Sequence, residues 1–241
     1  LLAAGGGWWF GSGPGSQVTV PTVAGKTFAQ ARTALADVSL VAKQKTESSL
    51  AVASGRVITT DPGPGTRMDK NSAVTVTVSS GPAEAKIGAL AGEPERDARD
   101  ALAAAHIEVA AKNVTYYTGD AQGTVVGATV QPAGGGKDVD CAKGCTVHQG
   151  DSATLAVSLG PLPDVVGKPV DEAVAILKDK GITVTARPKE FSSTVAAGKV
   201  ISMAGRSDGG WWRPGDTTSL TVSKGPQTFP IPDVSGKTRD Q

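Results

Sequence analysis

Cysteine, histidine and methionine each occur only twice in these 241 residues, and aromatic side chains make up 4%. The two cysteines, Cys141 and Cys145, share one loop, so no network of cross-links holds the chain together. No Ser/His/Asp arrangement, phosphate-cradling loop or carboxylate pair is positioned for chemistry, which turns attention from catalysis to binding. No apolar run reaches the roughly 20 residues that a membrane span needs, and there is no cleavable signal peptide. Net charge is only +1, from 24 basic and 23 acidic groups. No part of the chain is basic enough for a nucleic-acid footprint.

What the chain has instead is repetition. Gly25, Gly92 and Gly167 each follow a short apolar pair, and Gly236 follows Val234-Ser235. Leu35, Leu102 and Leu177 come ten residues later, and Leu40, Ile107 and Ile182 fifteen later. A Gly-x-Val pair recurs at Gly55/Val57, Gly123/Val125 and Gly198/Val200. Each copy closes on an alternating strand and Gly-Pro, at Gly81-Pro82, Gly160-Pro161 and Gly225-Pro226. Such a period argues for a string of small domains, each near the lower size limit for burying its own core. The boundaries read as 18–82, 83–161 and 162–226, with a fourth copy beginning at 227–241 and an N-terminal segment at 1–17. The copies carry 7 basic and 4 acidic, 6 and 10, then 9 and 7 groups. Solvated surfaces explain this alternation in sign, and docking between neighbours or chains is the other reading.

Each copy reads as short strand, helix, then three strands. Thr27-Phe28-Ala29-Gln30 has capping-box spacing, repeated at Thr238-Arg239-Asp240-Gln241. The second and third copies place Pro94 and Pro169 there, as at a first helical position. Core spacing puts Phe28, Ala31 and Leu35 on one helix face, then Ala98 and Leu102, then Val170, Ala173, Val174 and Leu177. The closing strands alternate at Val74, Val76 and Val78, at Ala153, Leu155 and Val157, and at Leu220 and Val222. Threonine and serine fill their other face, as in a sheet covered on one side. Asn71, Gly150 and Gly215 precede these strands as turn residues of positive φ. The Gly-Pro exits make short, stiff linkers, favouring an extended rod.

At the N-terminus, Leu1-Leu2-Ala3-Ala4-Gly5-Gly6-Gly7-Trp8-Trp9-Phe10 suits the outer end of a membrane span, with Trp8, Trp9 and Phe10 at headgroup level. Gly11–Ser16 reads as a flexible exit linker. The alternative is an apolar tail packed on the first domain.

These features together resemble an array of PASTA repeats. The resemblance rests on Val20-Pro21-Thr22-Val23-Ala24-Gly25-Lys26, Leu162-Pro163-Asp164-Val165-Val166-Gly167-Lys168 and Ile231-Pro232-Asp233-Val234-Ser235-Gly236-Lys237. It rests also on the Gly-x-Val-Ile strands at 55–58 and 198–201, Pro62-Gly63-Pro64-Gly65 and the exit Gly-Pro pairs. It implies an α+β fold of tandem small domains, each one helix packed on a three-stranded sheet. It further implies the extracellular part of a single-pass membrane serine/threonine protein kinase of the high-GC Gram-positive type. The order of apolar remnant then repeats suits a kinase better than a penicillin-binding protein, the other setting of this family. The implied ligands are peptidoglycan fragments (muropeptides) or the lipid-linked cell-wall precursor, with ectodomain self-association promoting autophosphorylation. The membrane would be met through the N-terminal segment, and no nucleic acid is implied. The chain itself would be no enzyme and hold no cofactor, whereas a parent kinase would use ATP and Mg. A structural spacer and a docking module for cell-wall or division enzymes are the alternatives.

Two departures from the family pattern mark candidate sites. The second copy opens on Lys86-Ile87-Gly88-Ala89-Leu90 and carries an insertion holding Cys141 and Cys145. Outside the membrane a disulfide is the default; a metal site with His148 and paired free thiols are the alternatives. The third copy replaces Pro-Gly-Pro-Gly by a segment containing Arg206, Asp208, Trp211, Trp212 and Arg213. Flat indoles bind sugar rings, arginines meet a peptide-stem carboxylate, and Asp208 receives an amine. Packing of the two tryptophans on the sheet or a neighbouring domain is the competing reading. His106 ends a helix and reads as a surface residue. Of Tyr116 and Tyr117, one is expected in the core and one in solvent.

Overall fold

The structure, a computed structural model, describes residues 17–230. The expectations for the membrane-exit segment and for the capping box at 238–241 lie outside the described residues. The chain divides into two compact units that cut across the second repeat. One comprises Leu1–Ala89, Arg99–Val109 and Thr129–Ala153; the other comprises Leu90–Ala98, Ala110–Ala128 and Thr154–Gln241.

The first repeat runs β1 (Gln17–Thr19), α1 (Phe28–Asp37), β2 (Val41–Glu47), β3 (Val57–Asp61), β4 (Arg67–Asp69) and β5 (Ala73–Ser79). Its sheet has the order β2-β5-β3, with β2 parallel and β3 antiparallel to β5. β1 and β4 form a separate antiparallel ribbon. Helix α1 starts on the expected capping box: the Thr27 hydroxyl accepts the Gln30 N–H at 3.3 Å, and the Gln30 side chain accepts the Thr27 N–H at 3.0 Å. Ala31 and Leu35, four residues apart, are fully buried against Val57, Val74 and Val76.

The helix ends alike in all three repeats. Ser39, His106 and Gly181 take positive φ of 59°, 57° and 74°. Their amides donate to the carbonyls of Ala36, Ala103 and Lys178, and those of Leu40, Ile107 and Ile182 reach back to Leu35, Leu102 and Leu177. This pair of bonds closes a Schellman end. Asn71, Gly150 and Gly215 have the expected positive φ, and their amides donate to the carbonyls of Ser39, His106 and Gly181. Helix end and closing strand are thereby tied by one bond per repeat. His106 is exposed and serves this backbone turn.

The second repeat contains β6 (Glu84–Ile87), α2 (Glu95–Ala104), β7 (Glu108–Val109), β8 (Val114–Tyr116), β9 (Val125–Gln131), β10 (Val139–Asp140), β11 (Cys145–His148) and β12 (Ser152–Ser158). β6 pairs antiparallel with β11, as β1 does with β4. The third contains α3 (Val170–Asp179), β13 (Thr183–Ala186), β14 (Lys189–Glu190), β15 (Val200–Met203) and β16 (Thr217–Ser223). The three-stranded plan holds with two modifications, a split edge strand in the second and third repeats and an added strand in the second. β13 and β14 lie end to end along β16, both parallel to it. Pro188 sits in the gap, where it has no N–H for the ladder. β7 and β8 divide the same edge of β12, and the insertion adds β10 beside β9.

Two local expectations change. Pro94 and Pro169 stand one position before their helices rather than at the first helical position. They occupy the place of Thr27, and the carbonyls of all three accept the first helical bond, from the amides of Ala31, Ala98 and Ala173. The serine and threonine face is also not uniformly open. Ser79, Ser158 and Ser223 are buried at 2%, 1% and 2% exposure. Each accepts the amide of Gly81, Gly160 or Gly225 and donates to Val52, Asp120 or Val195. The loop before each Gly-x-Val strand folds over the sheet end and is anchored there.

Candidate ligand-binding site

In the third repeat the loop 204–216 replaces a plain turn, and Asp216 organises it. Its carboxylate accepts the Arg213 backbone N–H at 2.9 Å, Arg213 Nε at 3.4 Å and Arg206 Nη1 in a short contact. Asp151 does the same service in the second repeat, accepting the amides of His148 and Ala133, both at 2.8 Å. The other edge of Arg206 forks onto Asp208, Nε to Oδ1 at 2.9 Å and Nη2 to Oδ2 at 2.6 Å. Such bidentate pairing fixes geometry as well as adding energy. Asp208 also accepts the Gly210 amide at 3.0 Å.

These bonds set the charges. Hydrogen bonds from Arg206, then from the Gly210 amide, hold the Asp208 carboxyl well below the usual carboxylate range. Burial disfavours the Asp216 anion, but the Arg213 amide and the Arg206 guanidinium outweigh it, and its pKa is lowered. Bonds to Asp208 and Asp216 in turn keep Arg206 firmly protonated. Arg206 therefore spends its fork inside the loop. Arg213 is about half exposed, and its terminal nitrogens make no hydrogen bond among the described residues.

The two tryptophans part company. Trp211 stays 50% exposed and meets Tyr116 edge to face, ring centroids 5.7 Å apart. Trp212 turns inward and packs on the third-repeat core of Val165, Leu177 and Leu220. Its carbonyl accepts the Tyr117 N–H at 2.6 Å. Tyr117 packs on that same core, and its phenol donates to the Lys180 carbonyl at 3.0 Å. Both tyrosines thus reach across to the third repeat instead of dividing between core and solvent. Tyr116 is the last residue of β8, and Tyr117 directly follows it.

A cleft of about 480 Å³ opens here, lined by Tyr116, Ala156, Arg206, Asp208, Trp211 and Arg213. On the other side of the Arg206–Asp208 pair lies a recess of about 380 Å³, lined among others by Thr185, Ser207, Thr217 and Ser219. Aromatic walls beside a half-exposed guanidinium suit a ring-bearing small molecule. Sequence reasoning placed Arg206, Asp208, Trp211, Trp212 and Arg213 here but missed Tyr116, Ala156 and Asp216. The readable signal for Asp216 was its place after Gly215, matching Asp151 after Gly150.

The other candidate, Cys141 and Cys145, is a disulfide with Cα atoms 4.9 Å apart, joining the end of β10 to the start of β11. No cysteine is free, which removes the thiol and metal alternatives. Among the described residues no group of three or more His, Cys, Asp or Glu could hold a metal ion. The bridge pins the insertion back to the ribbon with β6. Gly144 lies within it at φ 93°, where a Cβ would stand 3.0 Å from the Ile87 carbonyl oxygen.

The PASTA domain family model matches residues 18–80 and 161–224. A probable serine/threonine-protein kinase of Streptomyces coelicolor is 29% identical over 94% of this chain and 32% of its own length. The serine/threonine-protein kinase PknB of Mycolicibacterium smegmatis is 28% identical over 91% of this chain and 34% of its length. The chain thus spans about a third of the curated relatives it matches. Among solved structures, the entire extracellular region of the Ser/Thr kinase PrkC from Staphylococcus aureus is 25% identical. It has a TM-score of 0.46, over 87% of this chain and 71% of that one. With the matched repeats covering more than half of its length, the chain belongs to the PASTA domain family.

Proposed function

We propose that this chain is the extracellular sensor region of a membrane serine/threonine kinase. It binds peptidoglycan fragments (muropeptides) or the lipid-linked cell-wall precursor, and binding promotes kinase dimerisation and activation. The relatives named as serine/threonine kinases support the parentage. The observation that carries the binding reading is the half-exposed Trp211, held against Tyr116 at the mouth of a cleft with Arg213 on its rim. Trp211, Tyr116 and Arg213 meet the ligand, while Arg206, Asp208 and Trp212 hold the loop that presents them. A parent kinase would supply the ATP and Mg chemistry in a separate domain.

An NMR titration of the chain with defined muropeptides tests this. Saturable amide shifts at 205–216 and at Tyr116, weakened at least tenfold by Trp211→Ala, are expected. Absence of shifts at millimolar ligand in a well-folded chain would sink the reading. It would favour a structural spacer, for which the bonding of Tyr117 across to the third repeat is the supporting observation.

A further inference from the structure

The cleft and its neighbouring recess share one wall, the forked pair Arg206–Asp208. Their charges cancel. Two guanidinium groups, Arg206 and Arg213, face two carboxylates, Asp208 and Asp216, and every one of the four is paired within the loop. Of these four groups only Arg213 keeps terminal nitrogens without a hydrogen bond among the described residues, so a ligand carrying several free carboxylates would find one guanidinium edge to meet. A neutral ligand needs no such edge, and no buried charge has to be stripped of its partner.

The chemistry of the two compartments differs in kind. On one side the exposed Trp211 indole and the Tyr116 ring make an apolar corner with Ala156. On the other side are side-chain hydroxyls. Thr185 already donates to the Thr218 carbonyl at 3.1 Å. The hydroxyls of Ser207, Thr217 and Ser219, which line the same recess, have no hydrogen-bond partner among the described residues. A hydroxyl both donates and accepts, which matches a polyol better than it matches a carboxylate or an ammonium group. Volumes of about 480 and 380 Å³ each admit a ring-sized group, within the span of ordinary ligand pockets.

We propose that the two compartments form one carbohydrate site that reads the glycan part of its ligand. One sugar ring lies against Trp211 and Tyr116, and an adjoining ring lies over Ser207, Thr217 and Ser219. The rigid Arg206–Asp208 wall stands between, with edge atoms that meet hydroxyls from both. The ligand class is a neutral oligosaccharide of two or more rings. This rests on the sensor reading above and narrows it: the sugar chain, not the peptide stem, supplies the contacts.

The test is an NMR titration of the chain with three probes: an N-acetylglucosamine tetramer, a free stem pentapeptide and an intact muropeptide. The tetramer is expected to shift the Trp211 indole N–H and the amides of Gly209, Gly210, Ser207 and Ser219. Its affinity should lie within tenfold of the muropeptide's and change less than twofold between 50 and 300 mM salt, since no net charge is involved. Trp211→Ala should weaken it at least tenfold and Ser219→Ala severalfold, with the core resonances of Leu177 and Val222 unmoved as proof of folding. If the peptide alone reproduces muropeptide binding and the tetramer gives no shift, the glycan assignment is overturned while the sensor reading survives. If none of the three probes binds, both fall.

Discussion

At the residue scale, three buried serines do work that their place in an alternating strand concealed. Ser79, Ser158 and Ser223 look like outer-face residues in sequence. Their partners lie in loops 27, 38 and 28 residues away, a separation no local pattern reveals. Ser223→Ala leaves the Gly225 amide and the Val195 carbonyl buried without it. We expect a loss of about 1–3 kcal/mol, seen by urea denaturation of the chain as a lower midpoint with unchanged slope. Ser223→Thr, which keeps the hydroxyl, should recover part of it. The aspartates of the third-repeat loop make a pH prediction. Asp208 and Asp216 are both held below the ordinary carboxylate range by hydrogen bonds in the folded state. The unfolded chain therefore takes up protons first as the pH falls. The stability these bonds contribute is complete above about pH 5 and declines as pH drops through and below the unfolded value of about 3.9. Thermal melts from pH 7 to pH 2.5 should show that decline, and Asp216→Asn should lower the pH 7 melting point while flattening the acid limb. A steeper acid limb in the variant would contradict the assignment.

At the element scale, much was legible because short-range chemistry decides it. The 3.6-residue spacing gave Ala31, Leu35, Ala98, Leu102, Ala173 and Leu177 as core, and each is buried, while Phe28, Val170 and Val174 on the same faces are partly buried against it. The period-two strands gave Val74, Val76, Leu155, Val157, Leu220 and Val222, likewise buried. Positive φ at Asn71, Gly150 and Gly215 followed from residue type alone. The Tyr–Trp meeting and the organising role of Asp216 were not legible, because they depend on which repeat edge comes beside which loop. The prolines shifted by one residue because a proline at a helix start is compatible with either side of the boundary. The three helix starts differ in consequence. Thr27 both accepts and donates at its cap, whereas Pro169 makes no side-chain cap bond. Thr27→Ala should cost about 1 kcal/mol, measured on the first-repeat methyl resonances of Leu35 and Val76 during denaturation. Thr27→Pro, which imitates the other repeats, should cost less than a proline inside the helix, where about 3 kcal/mol is usual.

At the scale of the whole molecule, the repeats are alike inside and different at their joints. The residue before the amide that bonds the exit glycine is Ser48 in the first repeat, Tyr117 in the second and Phe191 in the third. Only the second places a phenol there, and that phenol crosses to the third repeat and caps the C-terminal turn of α3 through the Lys180 carbonyl. The last free carbonyls of a helix need such partners. The Tyr117 side chain is therefore part of the third repeat's core although it directly follows β8 of the second repeat. Truncation at 117 should accordingly destabilise residues far away in sequence. Tyr117→Phe removes one hydrogen bond and should cost about 1 kcal/mol. Tyr117→Ala also removes a half-buried ring and should cost about 2 kcal/mol or more. The decisive readout is denaturant unfolding followed on Leu177 and Leu220, which lie in the third repeat's own helix and strand. If the domains are merely strung together, those signals unfold as in the wild type. If Tyr117 completes the third core, their midpoint drops with each truncation, and the Trp211–Tyr116 cleft loosens with it, so ligand affinity and third-repeat stability should fall together.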